Sequence, residues 1–188
     1  MTAAAPLGRV HARYDAMARR LAHLRVAPAA DPALCAQAAS WLAAEARLLD
    51  ARAFDAWQEM LSEDMVLWVP VHPEDHPARD QALLFDDRRR IAERIAHFSD
   101  RQAWAVTAPD PLIIRHLGTV EAWDTGAELL ATAPIEILHV RRGAPLRLSG
   151  REVLSLSHDP AAGRGLITSK TLILPELVLS TPHLGWII

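Results

Sequence analysis

Residues 128–157, ELLATAPIEILHVRRGAPLRLSGREVLSLS, decide the fold class. Leu146, Leu148, Leu154 and Leu156 alternate with Arg147, Ser149, Ser155 and Ser157, the period of two that buries one face of a strand. Arg142-Gly143 interrupts the apolar run with a pair suited to a tight hairpin turn. The pattern extends both ways, predicting strands over about 112–123, 128–140, 145–157 and 165–174. Asp124-Thr-Gly126 and Asp159-Pro-Ala-Ala-Gly-Arg-Gly165 supply the other turns.

Upstream the period changes to that of helices. Asp31 is a good N-cap and Pro32 fits the first helical turn. From there Leu34, Ala38, Trp41, Leu42, Glu45, Leu48 and Leu49 fall on one face. Glu45 thus lies in an apolar stripe, where a carboxylate either meets an arginine or titrates high. A short helix with Phe54, Trp57 and Leu61 inward follows, then a strand over Met65–Val71 with Pro70 at an edge or bulge. Residues 72–84 read as a polar loop. Asp86 or Asp87 caps a third helix with Ile91, Ile95 and Phe98 inward and Arg88, Arg89, Arg90 and Glu93 solvated. Helices followed by an antiparallel meander make an α+β domain, a strongly curved, mostly antiparallel sheet wrapped around N-terminal helices.

The 188 residues suit one such domain, expected over 31–188, and can bury about 70% of the unfolded surface without a staple. Residues 1–30 form a basic amphipathic extension. Val10, Tyr14, Met17, Leu21 and Leu24 make its stripe, and five arginines against Asp15 give it +4, leaving −7 for the rest. The bland account is a helix docked on its own domain or on a partner; the sharper one is a membrane-surface helix, weakened by the short stripe. A mildly acidic body argues against nucleic acid, and no apolar run is long enough to span a membrane. Cys35 is the single cysteine, so no intrachain disulfide forms, and the start lacks a secretory core; a cytoplasmic protein is expected. Nineteen of twenty basic residues are Arg and only Lys170 is Lys, read as compositional bias.

Chemistry-bearing clusters are sparse. His72, Glu74, Asp75, His76 and Asp80 share one loop, but Pro73 and Pro77 break the helix that would align His72 and His76 on a metal. An exposed loop or an interface is the simpler account. Cys35 reads as a packing residue, and Ser155 and Ser157 lack a nucleophile elbow. For acid–base work the candidates are Glu45, Asp64, Asp86, His116 and His139, the two histidines more simply core or rim residues. Arg115, between Ile113 and Leu117 on one strand face, calls for a carboxylate within the chain or across an interface. No catalytic, cofactor-binding or metal-binding set emerges.

Several segments together resemble the small (β) subunit of aromatic-ring-hydroxylating dioxygenases. They are Glu45-Ala-Arg-Leu-Leu-Asp50 with Phe54-Asp-Ala-Trp57, Asp64 and Trp68-Val-Pro70; Phe85-Asp86-Asp87 with Arg94-Ile95; Ala103-Trp104, Pro109 and Arg115-His116-Leu117; and Leu184-Gly-Trp-Ile-Ile188. The resemblance covers about residues 40–188. It implies a cone of the nuclear transport factor 2-like kind and a mainly structural role in a bacterial enzyme that dihydroxylates an aromatic compound in a catabolic pathway. It further implies three large (α) and three small subunits, NAD(P)H electrons arriving through a reductase or ferredoxin, and a Rieske [2Fe-2S] cluster and mononuclear non-haem iron in the large subunit. No cofactor is expected in this chain, since one cysteine cannot supply the two thiolates of a Rieske site. Arg94, Arg115, His72, His76, Glu45 and Trp104 are then expected as interface or structural positions. The alternatives are a free-standing cone enzyme, an isomerase or dehydratase acting through His116 or His139, and a small-ligand-binding module.

Overall fold

The computed structural model describes residues 4–99, 109–157 and 165–175. Trp104, the 159–164 turn and the 184–188 end lie outside them, as does the side chain of Phe98. In chain order the elements are α1 (Ala4–Leu24), α2 (Pro32–Asp50), α3 (Phe54–Gln58), β1 (Leu61–Pro70), β2 (Ala82–Asp87), α4 (Arg88–Ser99), β3 (Leu112–Leu117), β4 (Glu121–Asp124), β5 (Glu128–Arg141), β6 (Ala144–Ser157) and β7 (Ile167–Ile173). No described helix is long and apolar enough to cross a membrane.

The β5–β6 hairpin is the spine of a curved seven-stranded sheet ordered β2-β1-β7-β6-β5-β3, with β4 also on β5. Its turn is Arg142-Gly143, both at positive φ (51° and 77°), the conformation that a two-residue hairpin needs to match strand twist. Every pairing is antiparallel except β1 with β7. Pro70 sits at a register shift against β2, where its missing N–H interrupts no ladder. The chain crosses close over Gly150, where a Cβ would lie 2.4 Å from the Ile173 carbonyl oxygen.

Helix boundaries follow local chemistry. The Asp31 side chain accepts from the Ala33 N–H at 2.7 Å, and Pro32 opens α2. The Asp87 Oδ1 accepts from the Arg90 N–H at 2.8 Å, so Asp87 is the cap of α4. The inner face of the sheet packs on α2, α3 and α4 through a core including Leu42, Leu49, Trp57, Met65, Leu67 and Ile91. Each such side chain stabilises the fold by about 1.5–3 kcal/mol. α1 lies on the outer face instead. Its Met17 and Leu21 cover Val66, Trp68, Leu130 and Val153, and the edge of Tyr14 meets the Phe85 ring at 5.4 Å.

Four expectations need correction. Residues 82–87, read as loop and cap, form β2; six residues ending Phe-Asp-Asp carry too weak an alternation to announce a strand. The strand expected over 112–123 is two, separated at Gly118-Thr-Val120. Ser155 is buried, because α1 covers this part of the outer face. Arg88 is half-buried and donates to the Leu61 and Ser62 carbonyls rather than standing in solvent.

Candidate functional site

Inside the curved sheet three buried ionic side chains converge. Glu45 projects from α2, Glu152 from β6 and Lys170 from β7, with exposures of 1%, 2% and 1%. Lys170 Nζ lies 3.0 Å from Glu45 Oε1 and also pairs with Glu152 Oε1. The indole N–H of Trp57 donates to the same Glu45 oxygen at 3.1 Å. The expected arginine partner of Glu45 is therefore a lysine. Burial raises the Glu152 pKa, with Glu45 adding to the rise and Lys170 opposing it. Burial alone would lower Lys170, yet Glu152 and Glu45 outweigh it and hold the ammonium above its ordinary value. One ammonium thus faces two buried carboxylates.

Arg115 lies beside this cluster on β3, its side chain 2% exposed. Asp50, at the end of α2, accepts from its guanidinium at 2.6 Å and from its backbone N–H at 3.0 Å. The carboxylate that Arg115 calls for thus comes from within the chain.

The acid–base candidates do not gather. His116 pairs with Glu136 and points to the outer face, whereas His139 pairs with Ile113 and points inward, so the two are on opposite sides of the sheet. Burial lowers the His139 pKa; a bond to its own backbone opposes this and Arg141 adds to it. Asp64 is exposed and paired with Arg13. Asp86 is buried against Arg94, whose Nε lies 2.8 Å from Oδ2.

The 72–80 loop spends its donors on itself. Asp75 accepts from the His72 N–H and Asp80 from the His76 N–H, both at 2.7 Å. His76 accepts from the Ala78 N–H on Nδ1 at 3.1 Å and reaches Asp15 of α1 through Nε2 at 2.9 Å, the pattern of the Nε2–H tautomer. Among the described residues no three His, Cys, Asp or Glu are placed to hold a metal ion. The loop does wall a groove of about 400 Å³ along β2, with Pro77 and Asp80 on one side and Arg90 and Arg94 of α4 on the other.

The profile of the family described as ring hydroxylating beta subunit matches residues 44–181. The chain belongs to this β-subunit family. A curated relative, the 2-halobenzoate 1,2-dioxygenase small subunit of Burkholderia cepacia, is 30% identical over 83 residues. That match covers 41% of this chain and 50% of the relative, so it spans half the length of the curated protein. Among solved structures, naphthalene 1,2-dioxygenase with indole bound superposes with a TM-score of 0.72 at 22% identity, covering 84% of this chain and 87% of that one. The β subunit of benzoate 1,2-dioxygenase from Burkholderia mallei gives 0.61 at 22% identity, with 78% and 92% covered. A β subunit from Novosphingobium aromaticivorans gives 0.63 at 18%, with 81% and 96% covered. These superpositions show that the chain has the fold of this β-subunit family, with α2 to α4 inside the curved sheet.

Sequence reasoning singled out Glu45 and Arg115 but missed Glu152 and Lys170. Two signals were available: Glu152 is in phase with Leu148, Leu154 and Leu156, and Lys170 is the one lysine in a chain that otherwise uses arginine.

Proposed function

We propose that this chain is the mainly structural small subunit of an aromatic-ring-hydroxylating dioxygenase. It acts with a large subunit that carries the Rieske cluster and the mononuclear iron, three of each, in the catabolism of an aromatic compound. Electrons come from NAD(P)H through a reductase or ferredoxin, in the cytoplasm. The observation that supports the reading is the buried centre inside the sheet, where Lys170 pairs with Glu45 and Glu152 and Arg115 beside it pairs with Asp50.

The donor set of this chain does not fit the Rieske cluster. Cys35 is half-buried on α2 against the core, and a Rieske cluster needs two thiolates. What these residues supply is a rigid body. Arg115–Asp50 ties α2 to β3, Arg94–Asp86 ties α4 to β2, and His76–Asp15 ties the 72–80 loop to α1. We assign Arg115, Arg94, His76, His72 and Glu45 to holding surfaces in register for the partner rather than to chemistry.

The test is the native mass and iron content of the assembly purified from its own cell. A mixed complex with a larger, iron-bearing chain is expected. Arg115→Ala is expected to weaken that complex without lowering the iron bound per large subunit. A metal-free homo-oligomer that turns over an aromatic or ketonic substrate would overturn the reading.

A further inference from the structure

We infer that the buried centre is a proton-holding switch: at neutral pH one proton sits on the Glu152 carboxyl, and its loss as pH rises weakens the fold. The inference goes beyond the subunit reading and does not depend on it. Glu45 and Glu152 both pair with Lys170 Nζ, and each side chain is 2% exposed. Two carboxylates on one ammonium lie within the range of about 4–6 Å at which like charges oppose each other's ionisation. Burial removes the screening that water would give them.

Among the described residues, the charged groups acting on Glu152 are Lys170 from β7, Glu45 from α2 and Arg115 from β3. Arg115 is paired with Asp50 at the end of α2, so two cations meet three carboxylates. From β5 the residues alongside are apolar, Ala133 directly opposite Glu152 and Ile135 next to it on the inner face.

The proton belongs on Glu152 because Glu45 has more donors. Glu45 Oε1 accepts from the Trp57 N–H at 3.1 Å and from Lys170 at 3.0 Å, and bonds to a carboxylate favour its charged form. Glu152 has Lys170 alone among the described residues. Burial pushes the Glu152 carboxyl up; Lys170 opposes this and Glu45 adds to it. The two carboxylates hold Lys170 above its ordinary value, so the lysine keeps its own proton throughout. A carboxyl whose folded value lies above its ordinary 4.5 takes up a proton on folding. The stability this brings is complete below pH 4.5 and is lost as pH rises through the folded value.

The experiment is infrared spectroscopy of the full-length chain at pH 7, with denaturant unfolding across pH. The wild type is expected to show the carbonyl band of an un-ionised carboxyl that Glu152→Gln lacks. Glu45→Gln is expected to lose the band as well, since Glu152 then has the ammonium to itself; persistence there would overturn the competition on which the inference rests. The unfolding constant of the wild type relative to Glu152→Gln is expected to rise by up to tenfold per pH unit above pH 5. His139, which works in the opposite sense, is common to both chains and cancels in this ratio. Should Glu152→Gln fail to fold, the wild type alone carries the test, its band present when folded and absent once unfolded at the same pH. A folded wild type without the band, or a ratio that stays flat with pH, overturns the inference and leaves the subunit reading untouched.

Discussion

The two faces of the sheet are covered by different physics. On the inner face α2, α3 and α4 bury an apolar core around a charged centre that is sealed from water. On the outer face a single helix, α1, covers four buried residues, Val66, Trp68, Leu130 and Val153, and is flanked by pairs at its margins: Arg13–Asp64, Arg20–Glu128, Arg25–Glu74 at 3.8 Å and His76–Asp15. Beyond α1 that face stays open, with Leu112 74% and Ile114 49% exposed. The inner arrangement commits charges irrevocably, since they have no solvent to fall back on. The outer one leaves them in contact with water, where they steer and orient more than they stabilise.

Breaking the inner cluster should have the largest effect. Lys170→Met leaves two carboxylates buried without a cation, and denaturant unfolding is expected to show a loss of about 3–5 kcal/mol. The combination Glu45→Gln, Glu152→Leu and Lys170→Met removes every charge and keeps an acceptor for the Trp57 N–H. It is expected to recover most of that loss; continued failure to fold would mean that the ions themselves specify the interior.

The outer face should respond less. Arg20→Gln removes the pair with Glu128 and the 3.2 Å bond to Ser169, an expected cost of about 1–3 kcal/mol. Raising the salt from 0.1 to 1 M shortens the screening length from about 10 to about 3 Å. Exchange should then accelerate at α1 amides and stay unchanged in α2. Equal acceleration in both helices would abolish the distinction between the faces.

The smallest effect is at His139, near the inner rim. Its folded pKa is lowered, chiefly by burial, so the unfolded chain binds this proton more readily. The associated stability is complete above the ordinary histidine value of 6.5 and is lost as pH falls through the lower folded value. His139→Gln should flatten the fall in unfolding temperature between pH 7 and 5, and an unchanged slope would assign the fall to other groups.

How far the sequence discloses all this depends on where the signal is local. The α2 cap is legible because Asp31 and Pro32 act within one turn, and the β5–β6 hairpin because its period and its Arg-Gly turn agree. β2 is not legible, since its strand character comes from β1 beside it rather than from its six residues. The ionic centre is half legible. Glu45 is conspicuous on an apolar stripe, but its partners lie more than a hundred residues away on two other elements, and no spacing rule connects them. The family resemblance reaches further than periodicity because it rests on the order and spacing of many segments from Glu45 to Ile188.

The parallel pairing of β1 with β7 has a kinetic consequence. Leu67 lies beside Lys170, so a central seam of the sheet joins a strand near the start of the domain to the last described strand. As the chain is synthesised, β1 can pair with β2 and pack against α2 to α4 long before its other neighbour exists. The seam closes only after β5 and β6 have formed the surface on which β7 docks. Contacts so distant in sequence slow folding and leave an unpaired edge exposed in the interval. Refolding of this chain should therefore end in a late step that joins β1 to β7, and an intermediate trapped before that step would present the apolar strand Met65–Val69 to whatever else is in solution.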